Sequence, residues 1–237
     1  ELVQQKEELP NASKRVQFCV YIMTYHIISL FPQSFDSYLA ESILKRAQED
    51  KLIKVKFYNP RDFTTSQKTY ADRRVDDKPY GGGPGMVIEA IPVIKAITKA
   101  KRKTKKVKII WFTPSGKQFD TAYAKGIAIK YTDIIFICGR YEGIDARVKS
   151  VFKVDEISIG PFVLTGGELP AMILIDSISR QIEGVLGDHS SLEENRIASP
   201  DVYTRPEIVE YKGKKYKVPK VLLSGNHKLI DEWRKSQ

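Results

Sequence analysis

Four loops rich in glycine and proline hold the residues whose types and spacing best suit chemistry. Asp77-Lys-Pro-Tyr-Gly-Gly-Gly-Pro-Gly-Met86 carries four glycines in five positions. Thr113-Pro-Ser-Gly116, Cys138-Gly-Arg-Tyr-Glu-Gly-Ile-Asp145 and Ile159-Gly-Pro-Phe-Val-Leu-Thr-Gly-Gly-Glu168 each follow an apolar run. Backbone without side chains lets a ligand, or another stretch of chain, come close. In open α/β sheets ligands bind beyond the carboxyl ends of strands, so the last three loops are placed to build one backbone-lined pocket. The Asp77–Met86 run, taken alone, is equally a tight surface turn.

Other chemistries lack their signatures. Neither the G-x-G-x-x-G dinucleotide spacing nor a P-loop occurs. His26, His189 and His227 are far apart and match no zinc spacing, so no metal ligand is assigned. No G-x-S-x-G elbow is present, and neither Cys19 nor Cys138 has a neighbour that would activate it. Both cysteines sit in apolar runs and read as buried, reduced thiols of a cytosolic protein.

Those loops need a scaffold to hold them. Strands are expected at Thr24–Leu30, Lys54–Tyr58, Val107–Phe112, Ile134–Cys138 and Ile157–Ile159, where β-branched and aromatic residues cluster. Helices are expected over Gln33–Glu49, Val87–Lys99, Thr121–Lys130 with Asp120 as its cap, and Glu168–Leu186. Alternation of this kind predicts an α/β domain with a mainly parallel sheet. The almost wholly apolar Ile134–Cys138 run suits a strand covered on both faces. Composition changes near Gly187: residues 188–200 are polar and bounded by glycine and proline, a linker. Beyond them, residues 201–237 read as a small second domain with a hairpin or loop at Tyr211–Tyr216 and a last helix near Asn226–Lys235. Residues 1–22 form a polar leader and the start of an apolar run, an extension outside a fold that begins at Met23.

The charge balance points to a polyanionic partner. Lys+Arg 39 against Asp+Glu 29 leaves +10 over 237 residues, with a pI near 9.4. Nucleic acid is the first candidate and an anionic membrane surface the second, with a basic surface kept for solubility the plain alternative. One patch runs from Lys95 to Lys108 with no acid inside it. The other, Lys212, Lys214, Lys215, Lys217 and Lys220, is interleaved with Tyr211 and Tyr216, a mixture that suits phosphates and unpaired bases together. The Val16–Phe31 stretch is too interrupted by polar residues to span a bilayer, so no membrane association is expected.

From Met23 onward the strings themselves resemble a family. Ile28-Ser-Leu-Phe-Pro32, Asp76-Asp-Lys-Pro-Tyr-Gly-Gly-Gly-Pro-Gly-Met86 and Cys138-Gly-Arg-Tyr-Glu-Gly-Ile-Asp145 are followed in order by Ser158-Ile-Gly160 and Leu164-Thr-Gly-Gly-Glu-Leu-Pro-Ala171. Tyr203-Thr-Arg-Pro206 and Val221-Leu-Leu-Ser-Gly-Asn-His227 complete the set. The chain is similar over nearly its whole length to the bacterial tRNA (guanine-N1) methyltransferases, knotted enzymes of the SPOUT class. The resemblance implies a deep trefoil knot in the C-terminal part of the sheet domain, a homodimer, and a small helical C-terminal domain. Periodicity gives no hint of a knot, and general topology rules disfavour one.

The same resemblance implies an activity and a site. S-adenosyl-L-methionine would donate a methyl group to N1 of the guanosine immediately 3′ to the tRNA anticodon, in the cytoplasm, with magnesium assisting. The donor pocket would use Pro114, Gly139, Tyr141 and Glu142, the loop Ile159, Gly160, Pro161, Phe162, Val163 and Leu164, and the pair Gly166 and Gly167. Arg180 would supply positive charge where the methyl moves. One position departs from the family: counting on from Gly184-Val-Leu-Gly187 places Asn195 where an aspartate serves as general base. An amide cannot accept the proton as a carboxylate does, so Glu194, then Glu193, is the expected substitute. The departure keeps a second reading open, a catalytically impaired tRNA-binding homologue. A third is a generic basic nucleotide-binding module.

Overall fold

Short apolar runs become strands here because both of their faces are covered by helices. The computed structural model describes residues 22–64, 73–101, 106–186 and 201–236. Strand β1 (Met23–Ile28) leads through a 3-10 turn at Pro32–Phe35 to helices α1 (Asp36–Leu39) and α2 (Ser42–Glu49), and then to β2 (Ile53–Tyr58). A small antiparallel ribbon of β3 (Asp76–Asp77) and β4 (Val87–Ile88) frames the glycine-rich run. Next come α3 (Ala90–Lys101), β5 (Val107–Gln118), α4 (Thr121–Lys130), β6 (Asp133–Ile137), α5 (Arg147–Val151), β7 (Asp155–Ser158) and α6 (Glu168–Ser179). The hairpin β8 (Ile208–Tyr211) and β9 (Lys214–Lys217), with α7 (Lys220–Leu223) and α8 (His227–Lys235), ends the chain.

The five long strands make one sheet in the order β2-β1-β6-β5-β7, and every neighbouring pair is parallel. The expected α/β class with a mainly parallel sheet is what the chain adopts. Alternate residues feed two cores. Tyr25, Ile27, Ile110, Ile134 and Phe136 face α2, α4 and α6, while Ile28, Ile109, Ile135 and Ile137 face α3 and α5. Fully burying a side chain such as Phe136 contributes roughly 1.5–3 kcal/mol.

The helix expected over Val87–Lys99 begins only at Ala90, because Val87 and Ile88 pair with Asp77 and Asp76 as a strand. Three more elements differ in extent. The helix expected over Gln33–Glu49 breaks at Ala40–Glu41, where Glu41 is extended and Ser42 has φ 51. The Gln48 side-chain amide donates to the Leu39 carbonyl at 2.7 Å, satisfying a group that the break sets free. Helix α6 stops at Ser179, not Leu186: Gln181, Ile182 and Val185 donate to carbonyls three residues back, and Gly184 is left-handed. Strand β5 continues past Phe112, but its pairing with β7 is interrupted across residues 113–116, so both Phe112 and Lys117 lie opposite Ile157. That excursion carries Pro114 out at the sheet's end. Asp120 caps α4 as expected, accepting from the Tyr123 N–H at 2.7 Å.

Candidate functional site

Where β5, β6 and β7 end together, their exit loops diverge and leave a cavity of about 420 Å³. The end of β5 supplies Trp111, Phe112, Thr113 and Pro114. The loop after β6 supplies Gly139, Tyr141 and Glu142, and the loop after β7 supplies Ile159, Gly160, Phe162, Val163 and Leu164. Gly166, Gly167 and Pro170 close the wall at the start of α6. Eleven of the twelve residues expected to bind the donor therefore line one space. Pro161 does not: the chain turns between Gly160 and Phe162 and leaves the Pro161 ring exposed.

Close approach acts at two glycines, against backbone at Gly167 and against a movable ring at Gly160. A Cβ on Gly167 would stand 2.6 Å from the Cys138 Cα, which is backbone and cannot yield. The Gly167 N–H donates to the Gly139 carbonyl at 3.0 Å, and Arg140 pairs with Gly166 in an antiparallel bridge. A Cβ on Gly160 would fall 2.2 Å from the Phe162 ring, which lies over that glycine at the cavity's edge.

Charge enters the site through Arg140, which also lines the cavity. Its Nε lies 2.9 Å from Oε2 of the buried Glu168, and its guanidinium sits 4.8 Å from the centroid of the Phe31 ring. Ser29 donates to the other Glu168 oxygen at 2.7 Å. Sequence reading missed Arg140, Glu168 and Ser29 as a group, although all three stand inside the quoted motifs. Burial, then the Glu168 carboxylate, pushes the Cys138 thiol well above its ordinary range. Cys138 is thus an inert packing residue, as its apolar surroundings suggested.

The glycine-rich run is joined to this cavity by its second half. Glu142 N–H donates to the Met86 carbonyl, Ile88 N–H to Gly143, and Asp145 N–H to Ile88, all at 2.9–3.0 Å. Gly81, Gly82 and Gly83 have left-handed φ and open space around them. Arg180 caps the far end of α6. Twelve residues of helix place it roughly 18 Å along from the cavity wall, and it is not among the lining residues. Glu193, Glu194 and Asn195 lie outside the described residues. Among the described residues no group of three His, Cys, Asp or Glu side chains could hold a metal ion.

The two basic patches differ. In the first, Lys99 and Lys101 lie over the Phe63 and Phe152 rings, and Lys108 pairs with Asp155. Arg102, Lys103 and Lys105 are outside the described residues. In the second, the hairpin register sorts the side chains by face. Val209, Tyr211, Lys214 and Tyr216 share one face, and Ile208, Glu210, Lys215 and Lys217 the other. All eight are exposed.

A parallel sheet with a backbone-lined cavity beyond its strand ends defines an α/β protein built to hold a small ligand at that edge. Comparison with known sequences gives the family. The chain belongs to the tRNA (Guanine-1)-methyltransferase TrmD family, whose model matches residues 23–237. It is 47% identical over 222 residues to a tRNA (guanine-N(1)-)-methyltransferase of Clostridioides difficile (strain 630), covering 91% of this chain and 92% of that one. Proteins of the same name are 47% identical in Geotalea uraniireducens (strain Rf4), over 91% and 85%, and 44% identical in Campylobacter jejuni subsp. doylei, over 88% of each.

Proposed function

We propose that this protein transfers a methyl group from S-adenosyl-L-methionine to N1 of a guanosine in tRNA, the one immediately 3′ to the anticodon. The observation that carries the reading is the cavity formed by three strand-end loops in a chain of this family. Its backbone amides and carbonyls suit adenine and ribose, and its apolar residues Trp111, Phe112 and Ile144 suit the rest of the donor. In the transfer the carbon–sulfur bond breaks and a carbon–N1 bond forms. S-adenosylhomocysteine leaves, and the N1 proton passes to a base. Arg180 is assigned to the site of transfer on the resemblance alone.

The chain divides, on this reading, into a donor-binding domain (23–187), a linker (188–200) and a tRNA-binding domain (201–237). Among the described residues, both apolar cores draw only on residues 23–185. The last segment makes contacts of its own, such as Val218 N–H to the Glu207 carbonyl and Tyr203 against Trp233. We assign the deep knot to the region where Gly167 at the end of the 159–167 loop meets Cys138 and Gly139 at the end of β6. A homodimer would cover Leu169 and Ile173, which are exposed one turn apart on α6 near Tyr38, itself bonded to Asp176. Arg180 and the linker of one subunit would then serve the cavity of the other. No described helix is long and apolar enough to cross a membrane. The cytoplasm, where tRNA is modified, is the compartment this function requires. No role for magnesium is proposed.

Labelled S-adenosylmethionine and unmodified tRNA test the reading. The label should appear in N1-methylguanine, and a tRNA with adenosine at the target position should take none. Label in another base or position overturns it. Family membership lends no weight to the impaired alternative, which the same assay decides. The base is assigned to Glu194, so Glu194→Gln should slow transfer by about 10²–10⁴-fold with donor and tRNA affinities nearly unchanged. Asn195→Asp should hold or raise the rate. Full activity of Glu194→Gln removes the assignment.

A further inference from the structure

We infer that Arg140 and Glu168 are positioning residues for methyl-donor binding, an ion pair between a buried carboxylate and a largely covered guanidinium that holds the two loops flanking the cavity at their working separation. The inference rests on reading the cavity as the donor site.

The pair belongs to a closed circuit. Phe31 N–H donates to Ser29 Oγ at 2.9 Å, and Ser29 O–H donates to Glu168 Oε1 at 2.7 Å. Glu168 Oε2 faces Arg140 Nε at 2.9 Å as an ion pair, and neither of these buried atoms has a hydrogen-bond partner. The Arg140 guanidinium then returns to the Phe31 ring. Ser29 and Phe31 extend from β1, a central strand outside the cavity wall, so the circuit is anchored on the sheet.

Backbone bonds carry that anchor to both walls. The Arg140 carbonyl accepts from Gly143 N–H at 3.0 Å, which fixes the turn bearing Tyr141 and Glu142. Its bridge to Gly166 fixes the opposite loop. A displacement of Arg140 therefore moves both walls at once. Apolar residues of the same volume often serve stability as well as a buried ion pair does, whereas a pair left with one member is strongly penalised. A planar guanidinium fork stacked on a ring fixes a direction that packing alone leaves loose. Glu168 also opens α6, where unsatisfied N–H groups favour a carboxylate.

Calorimetry with S-adenosylhomocysteine, steady-state kinetics and melting curves on the full chain test this. Glu168→Gln should raise the ligand Kd and the donor KM by about tenfold or more, with a much smaller change in kcat at saturating donor. Arg140→Lys should keep more affinity than Arg140→Met. The double variant Glu168→Gln/Arg140→Met should bind better than Glu168→Gln alone, because it leaves no buried charge without a partner. A merely structural pair would lower the melting temperature and leave Kd and KM in place well below it. That result, or additive losses in the double variant, overturns the proposal. Should Glu168→Gln fail to fold, Arg140→Lys decides: affinity equal to wild type overturns it. Wild-type protein that binds no S-adenosylhomocysteine overturns the donor-site reading and this proposal with it. Wild-type binding with unchanged Glu168→Gln binding overturns this proposal alone.

Discussion

The sheet region and the C-terminal segment solve opposite problems. In the sheet region, the inner strands β1 and β6 are buried on both faces and the loops at the strand ends are tied by short backbone bonds, so the cavity's shape is set by the fold. Among residues 201–236, Ile230 alone is buried, and the hairpin shows lysines on both faces and its two tyrosines on one. A small ligand gains from a rigid, pre-formed cleft, because little ordering remains to be done on binding. A large polyanion gains from exposed charge, and its affinity then depends on the salt around it. The contrast predicts that the two regions fail separately.

The largest separation is expected at Gly160. Gly160→Val places bulk where the Phe162 ring now lies, 2.2 Å from the new Cβ, and displaces that ring at the cavity's edge. Donor binding measured by calorimetry should be lost, and tRNA binding by the C-terminal segment should persist. Shortening the ring in Gly160→Ala/Phe162→Ala should restore part of the donor affinity. Unchanged donor binding in Gly160→Val breaks the comparison at its strongest point.

A moderate effect is expected from the hairpin. Replacing Lys214, Lys215 and Lys217 by Ala should weaken tRNA binding at low salt and leave donor binding intact. If all three meet phosphates, the slope of log affinity against log salt should flatten by roughly 2–3. The register sharpens the test, since Lys214 lies on the face opposite Lys215 and Lys217. A tRNA docked on one face makes either the single or the double variant account for nearly all of the change. A slope equal to wild type assigns these lysines to solubility.

Legibility followed the same division. Strands and their loops could be read from sequence because apolar runs of five or six residues, ended by glycine, have few other uses. Asp120 was legible as a cap because a carboxylate before an apolar periodic run satisfies a helix terminus. The Arg140–Glu168 pair was not legible: the residues are 28 apart in sequence, and only the meeting of two loops with β1 makes them partners. The end of α6 was missed because Ile182, Val185 and Leu186 keep an apolar pattern through 3-10 turns. The two hairpin faces were hidden because composition counts lysines without a register. Residues such as Glu194 carry roles that only the resemblance supplies.

The smallest effect expected concerns acid, and it should belong to the sheet region. His26 is buried in β1, with Nε2 2.9 Å from an Asp133 oxygen and Nδ1 3.0 Å from the Tyr58 hydroxyl. Burial holds its pKa below the ordinary 6.5, against the opposing pull of Asp133. As pH falls through 6.5 the unfolded chain takes up a proton that the folded chain refuses. The stability linked to His26 is therefore complete above that pH and is lost below it, towards the depressed folded value. The slope cannot exceed about 1.4 kcal/mol per pH unit for one group. Asp145, held low by Arg147, acts only below its ordinary 3.8 and leaves this window clear. The two tryptophans separate the regions, since Trp111 lies in β5 and Trp233 in α8. In a Trp233→Phe background, denaturation followed by Trp111 fluorescence should show stability falling between pH 7 and pH 5. His26→Gln should be less stable at pH 8, having lost a fitted ring, yet flatter across that interval. An equal slope in the variant would move the acid sensitivity to another group.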